Sequence, residues 1–259
     1  MTTKTSKMPV IFIGHGSPMN ALADNAFTNS LKEVSRRIET PTAILVVSAH
    51  WITNGVELQG GKNPKTIHDF GGFPQALFDI QYPAKGVPEL ARELELLKVG
   101  KVTEDWGLDH GAWTILRHIY PQADIPVFQM SLNANMTFKE HFELAKEIKF
   151  LRERGVLIIG SGNIVHNLRQ INWKEDSAPF EWAIEFDELI KESIVKRNYS
   201  PIINILSENP TLAKTAHPTF EHFVPLLYTL GASSEKDELS SIFEGIQNAS
   251  ISMRSFILG

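Results

Sequence analysis

Nine histidines stand in a chain of 259 residues that holds no cysteine, and three of them follow apolar runs. His15 comes at the end of "VIFIGH", His50 at the end of "ILVVSAH", and His166 just past "VLIIGSGN". Imidazole accepts and donates protons near neutral pH, and in its neutral form it binds Fe, Zn, Cu or Ni. Two more histidines sit at turns or helix starts: His110 in "DHGAW" and His222 in "HPTFEHFVPLLYTLG". One histidine at a strand end is most often a structural hydrogen-bonder. Three that reach one edge of one sheet point to a shared site, because ligands of open α/β sheets bind beyond the carboxyl ends of the strands. Two chemistries fit the bare pattern. One is non-heme Fe(II) held by two histidines and a third ligand, either His222 or the adjacent Glu221. The other is a catalytic Zn(II) with three histidines and a water.

The elements that must position these residues are legible as periodicity. Pro9–Gly14 and Ala43–Ala49 read as buried strands with a helix, "NSLKEVSRRIE", between them, which makes a βαβ unit and parallel strands. Val56–Gln59, Ile125–Leu132, "VLIIGSGN" and the tail "SISMRSFIL" read as further strands, the last at an edge. Helices are expected over Pro88–Leu97, Ala112–Ile119, residues 137–155, Glu181–Lys196 and Phe220–Leu230, the last closed by Gly231. With no internal repeat and no Pro/Gly/Ser-rich linker, residues 1–259 read as a single α/β domain. Its central sheet is mixed, largely parallel and flanked by helices. Gly14, Gly16, Gly160 and Gly162 read as positions where backbone turns sharply beside the site. His141, in a charged helix, reads as solvated, His118 as a packing or capping residue, and His217 as a loop residue able to line a pocket.

Composition narrows the function. Net charge is −5 with no basic cluster, which argues against nucleic acid or an anionic membrane as partner. Without cysteine there is no disulfide, thiol nucleophile or iron–sulfur cluster. The polar start lacks an apolar signal region, and no apolar run approaches the ~18 residues of a membrane span. A cytoplasmic location is expected; oligomeric state is left open. "GSGNIV" lacks the third glycine of a dinucleotide fingerprint, and no G-x-S-x-G is present, so Ser17 and Ser161 are weak nucleophiles and Ser161 reads as a turn or cap.

Six blocks, "GHGSPMNAL", "SAHW", "HDFGGFPQALFDIQYPA", "WGLDHGAW", "SGNIVHNL" and "HPTFEHFVPLLYTLGA", resemble in order the class III extradiol ring-cleavage dioxygenases. They are most similar to the branch of the bacterial and plant 4,5-DOPA extradiol dioxygenases. The resemblance implies a mononuclear Fe(II) that binds a catechol and O2, and cleavage of the bond next to the diol to a semialdehyde. It implies His15 and His50 as early metal ligands and His222 as a late one. His166 is implied as a further ligand or an acid/base residue near O2, and His110 as a pocket histidine bonding the substrate. An all-histidine shell leaves Zn(II) open as the bound metal. Phe70, Phe73, Trp51, Trp106 and Trp113 are candidate walls of an aromatic pocket, Trp113 foremost. Asp109 either orients His110 or caps a helix. No residue stands out as a reader of an amino-acid carboxylate or amine. The rival readings are a metal-dependent hydrolase, a tetrapyrrole chelatase, which also places "HGS" after a first strand, and a non-catalytic metal-binding scaffold.

Overall fold

The computed structural model describes residues 7–174 and 177–259. Its main sheet is built from β1 (Val10–Gly14), β2 (Ala43–Thr53), β3 (Glu57–Gln59), β4 (Lys101–Thr103), β5 (Val127–Asn133), β6 (Val156–Gly162), β7 (Leu239–Phe243) and, after the small pair β8 (Ile246–Gln247) and β9 (Ile251–Ser252), β10 (Ser255–Leu258). The order is β4-β3-β5-β2-β6-β1-β10-β7. The four central strands, β5, β2, β6 and β1, are parallel neighbours, with Ile44 opposite Val127 and Leu157, and Val10 opposite Ile158. β3 meets β5 antiparallel, and β10 lies antiparallel to both β1 and β7.

The central strands are apolar on both faces, as a sheet covered on both sides requires. Val10, Phe12, Leu45, Val47 and Ile158 point to one layer and pack with Ala91, Leu94, Ala145, Ile190 and Leu227 of the helices Pro88–Leu96, Phe138–Ile148, Glu181–Val195 and Val224–Ala232. Ile11, Ile13, Ile44, Val46 and Ile159 point to the other and pack with Phe27, Leu31, Trp113 and Leu116 of the helices Ala26–Lys32 and His110–Ile119. Each such aliphatic, fully buried, contributes roughly 1.5–3 kcal/mol. No helix among the described residues is long and apolar enough to cross a membrane.

Several elements differ from expectation for identifiable reasons. The first helix begins early, at Ala26, because Asn25 and Thr28 form a reciprocal capping box; it breaks at Glu33 and resumes as Val34–Arg37. β2 runs past its expected end to Thr53, so His50 lies within the strand, at a register shift between Val47 and Ile52. The Phe138 helix stops at Ile148 and continues as a 3₁₀ turn to Arg154, closed by Gly155 at φ 78°. The late helix starts at Val224, which leaves His222 in the turn before it, and it includes Gly231, where a side chain would collide with the Phe142 carbonyl. The tail is interior, since β10 sits between β1 and β7. The helices between Ser200 and Ala216 and strands β4, β7 and β8 are too short for periodicity to show.

Two histidines placed outside the site by their sequence setting are core residues. His141 is buried with Nδ1 3.0 Å from the Tyr228 hydroxyl, not solvated, because it lies on the inward face of its helix. His217 is fully buried; its Nε2–H donates to the Ile164 carbonyl at 2.6 Å while Phe186, Phe220 and Phe223 surround the ring. His118 caps as expected, donating to the Asn20 carbonyl at 2.8 Å. Burial lowers His141 to about 4 and His217 to about 3 from an ordinary 6.5. Above pH 6.5 neither titration affects folding. Between 6.5 and the folded values the unfolded chain alone takes up protons, so stability falls with pH by up to about 1.4 kcal/mol per unit per group. Urea midpoints measured from pH 7 to pH 4 are therefore expected to drop steadily. His141→Gln, which keeps a partner for Tyr228, is expected to flatten that slope by about one proton's worth.

Candidate active site

His15 leaves the end of β1, His50 projects from β2, His166 follows β6, and His110 opens the helix that precedes β5. All lie beyond or near the carboxyl ends of the parallel strands. His222 joins them because its turn is pinned on β6: the Asn163 N–H donates to the His222 carbonyl at 2.8 Å. That approach needs Gly162, where a Cβ would strike the same carbonyl. Gly14 and Gly160 likewise permit close contact, with the backbone of Ser252 and Pro225. Only Gly16, at φ +62°, serves the sharp turn expected of all four.

The rings of His15, His50 and His222 form a triangle with centroids 5.0, 5.3 and 4.9 Å apart, and one nitrogen from each lies within 4.8 Å of the others. Two of the rings, His15 and His222, have an oxygen at hydrogen-bonding distance from Nδ1. Ser161 Oγ stands 2.9 Å from His15 Nδ1 and donates its own proton to the Gly111 carbonyl at 2.5 Å. Its lone pair therefore accepts from His15 Nδ1–H, and His15 Nε2 is left bare. Ser161 thus orients a histidine rather than capping a turn. Glu221 Oε1 is 3.1 Å from His222 Nδ1; Glu221 stands behind His222, which itself turns toward the other two rings. Asp69 Oδ2 lies 3.5 Å from His50 Nδ1.

His50 Nε2 and His15 Nε2 are 3.1 Å apart. With His15 Nε2 bare, His50 Nε2–H can donate to it across this contact in the metal-free chain. A cation would take the place of that hydrogen bond: nitrogens ~2.1 Å from one ion, about 90–110° apart at it, stand roughly 3.0–3.4 Å from each other. Burial and the neighbouring imidazoles push His15 and His222 well below 6.5 and His50 to about 3. All three are neutral at pH 7, the form that binds metal. The residues fit a divalent transition ion.

His166 stacks on His222, with centroids 3.5 Å apart and planes within 7°. His110 Nδ1–H donates to Asp69 Oδ2 at 2.9 Å, and its backbone N–H donates to Oδ1 at the same distance. Nε2 is thereby left as the ring's acceptor. Asp69, which sequence reasoning missed although it stands in "HDFGG", would be raised by burial; the His110 hydrogen bond and charge outweigh this and hold it below the usual carboxylate range. Asp109 does not touch the His110 ring. It caps the helix at Ala112 N–H and takes hydrogen bonds from Ser48 Oγ at 2.7 Å and Gln129 Nε2 at 2.7 Å. Burial, then the charge of Asp69, raises its pKa.

The five histidines line a cavity of about 520 Å³ walled by Phe70 and Phe73 on one side and Leu168, Ile171 and Trp173 on another. Trp113 is not on this wall: it is fully buried, its indole N–H on the Ile67 carbonyl at 2.8 Å, beneath Phe70 and His68. Trp51 and Trp106 stack on each other outside the cavity. Leu168, Ile171 and Trp173 escaped sequence reasoning because a loop carries no period.

A doubly wound sheet with a cluster of imidazoles beside a largely apolar cavity defines an α/β protein with a candidate metal site. Residues 2–253 match the family model described as the catalytic LigB subunit of aromatic ring-opening dioxygenase. The chain is 44% identical to a 4,5-DOPA dioxygenase extradiol of Escherichia coli K12, over 98% of this chain and 96% of that one, and 35% identical to one of Portulaca grandiflora, over 95% and 93%. A crystal structure of an uncharacterised E. coli K12 protein superposes with a TM-score of 0.83 at 39% identity, covering 97% of this chain and all of the other. The chain belongs to this family, the class III extradiol ring-cleavage dioxygenases, as its six motif blocks lead one to expect.

Asp109→Ala removes a helix cap and leaves Ser48 and Gln129 without their acceptor. The loss is expected to be about 2–4 kcal/mol of stability, read as a lower urea midpoint at unchanged m-value. Asp109→Asn is expected to recover part of it.

Proposed function

We propose that the protein opens the ring of a catechol, of the kind its DOPA dioxygenase relatives are named for. Both atoms of O2 enter the product, which is a semialdehyde, so the reaction balances without an external reductant. His15, His50 and His222 would hold a single non-heme Fe(II). The observation that carries this reading is the convergence of the His15 and His50 Nε2 atoms, 3.1 Å apart, with a nitrogen of His222 within 4.8 Å of both. Fe(II) held there would supply the redox chemistry that lets the diol and O2 react.

The chain's own groups do the rest. His110 Nε2, its lone pair set by Asp69 on the far side of the ring, accepts a hydroxyl proton from the catechol. His166 is an acid/base residue rather than a ligand. A ligand's lone pair lies in its ring plane, and the parallel planes of His166 and His222 cannot both contain one ion. Burial, then the charge of His110, lowers His166 to about 4, so it begins the reaction neutral and able to take a proton. Phe70 and Phe73 flank the ring and exclude water.

The test is reconstitution of metal-stripped protein with Fe(II) under anaerobic conditions, followed by air and a catechol panel that includes L-DOPA, with absorbance followed for a yellow semialdehyde. Colour is expected with Fe(II), and neither with Zn(II), which has no redox chemistry, nor with His50→Ala. Stoichiometric Fe(II) binding with no product from any catechol overturns the reading. Ser161→Ala, which frees His15 to rotate and change tautomer, is expected to weaken metal binding by about 10–100-fold in a chelator competition. Asp69→Asn is expected to lower kcat more than it raises KM, by freeing the His110 ring.

A further inference from the structure

The distal half of the cavity has a composition that selects among catechols. Among the described residues, no Lys, Arg, Asp or Glu side chain lines it. Asp69 and Glu221 are spent behind His110 and His222. The neutral amides are engaged as well: Asn20 Nδ2 donates to the His15 carbonyl and Asn248 Nδ2 to the Asn172 carbonyl. Ser17 and Gln247 are the other polar residues of the lining, and what remains away from the histidines is mainly apolar. Trp173 is 86% exposed and Leu168 55%. Ile171 and Phe73 also line the cavity. A tryptophan and a leucine held open to water side by side at a cavity mouth are a surface that gains by being covered. The volume, about 520 Å³, falls in the range of whole drug-sized ligands and exceeds what one six-membered ring fills.

We infer, on the reading that this site binds catechols, that its preferred substrate carries an uncharged apolar substituent para to one hydroxyl. That substituent lies against Trp173, Leu168 and Ile171. An α-amino acid side arm fits less well. Its ammonium and carboxylate would lose water against these walls without gaining an oppositely charged partner, or would stay in solvent and leave the walls uncovered. Each methylene of an alkyl arm that is covered gains about fourfold in affinity. Trp173 is the main specificity-determining residue, because it offers the largest uncovered apolar face.

The test separates binding from turnover. Zn(II)-loaded protein, which cannot oxidise the ligand, is titrated calorimetrically with 4-butylcatechol, catechol and L-DOPA. The butyl compound is expected to bind at least about tenfold more tightly than L-DOPA. In Trp173→Ala, which removes an exposed side chain and leaves the core intact, that gap is expected to shrink to within about threefold. L-DOPA binding as tightly as 4-butylcatechol, or a gap unchanged in the variant, overturns the inference. The Fe(II) enzyme is then assayed with the same three compounds. Ring opening with L-DOPA at the highest kcat/KM overturns the inference and leaves catechol cleavage standing. No ring opening despite the expected order of binding overturns the cleavage reading and leaves the preference of the cavity standing.

Discussion

The structure depends on one arrangement: several imidazoles buried side by side with their nitrogens converging. Burial removes the water each ring would bind, and every protonated ring would repel its neighbours in a medium of low dielectric. The cluster therefore exists only in its neutral form, and a neutral imidazole has one nitrogen that donates and one that accepts. Each donor must find an oxygen behind the ring. Ser161 stands behind His15, Glu221 behind His222 and Asp69 behind His110. Once these three oxygens are placed, the acceptor nitrogens have no direction left except toward the cavity, and a cation there would replace the hydrogen bond between His15 and His50.

The sheet order makes this possible. His15, His50 and His166 are separated by long stretches of sequence, yet β1, β6 and β2 are adjacent parallel strands, so their carboxyl ends open on one line. Strand ends alone would leave the rings too far from the fourth partner. The turn carrying His222 is brought down onto β6 by a hydrogen bond to Asn163, at a place where Gly162 offers no side chain. A bulge in β2 lets the strand continue past His50 while its register against β5 shifts. Regular pairing supplies rigidity, and two local irregularities aim the chemistry.

Strand-end histidines were legible because apolar runs of five to seven residues have a clear period and the residue that ends them stands out. His15, His50, His166, His110 and His222 do line one cavity. Asp69 and Ser161 were hidden for opposite reasons. Ser161 sits inside a strand motif, where a small polar residue reads as a turn, and its role appears only when β6 is set beside β1 and the start of the His110 helix. Asp69 lies in a loop 41 residues from the histidine it holds, and nothing in a loop's sequence reports what it folds against. His141 misled because a helix with several charges still has an inward face, and that face is set by the partner, here Tyr228. Trp113 misled because its place next to a chemical motif says nothing about which side of a helix faces the cavity. On this helix the rings of His110 and Trp113 part company, one to the cavity and one to the core.

A single hydrogen-bond chain ties the metal side of the site to the substrate side. His15 donates to Ser161, and Ser161 donates to the carbonyl of Gly111, the residue after His110. The same helix start is held by Asp109, which also takes Ser48 of β2 and Gln129 of β5. The tautomer of His15 therefore depends on where the first turn of the His110 helix sits, and that position is fixed by two strands of the sheet. Gly111 closes the contact, since a side chain there would meet Ser48 Oγ and the His50 ring. A shift of this turn would move the proton acceptor His110 and turn the Nε2 of His15 in the same displacement. The two halves of the site cannot be adjusted separately, so discrimination among substrates falls to walls outside this network, such as the loop of Leu168, Ile171 and Trp173, where a side chain can change without moving a ligand or a proton acceptor.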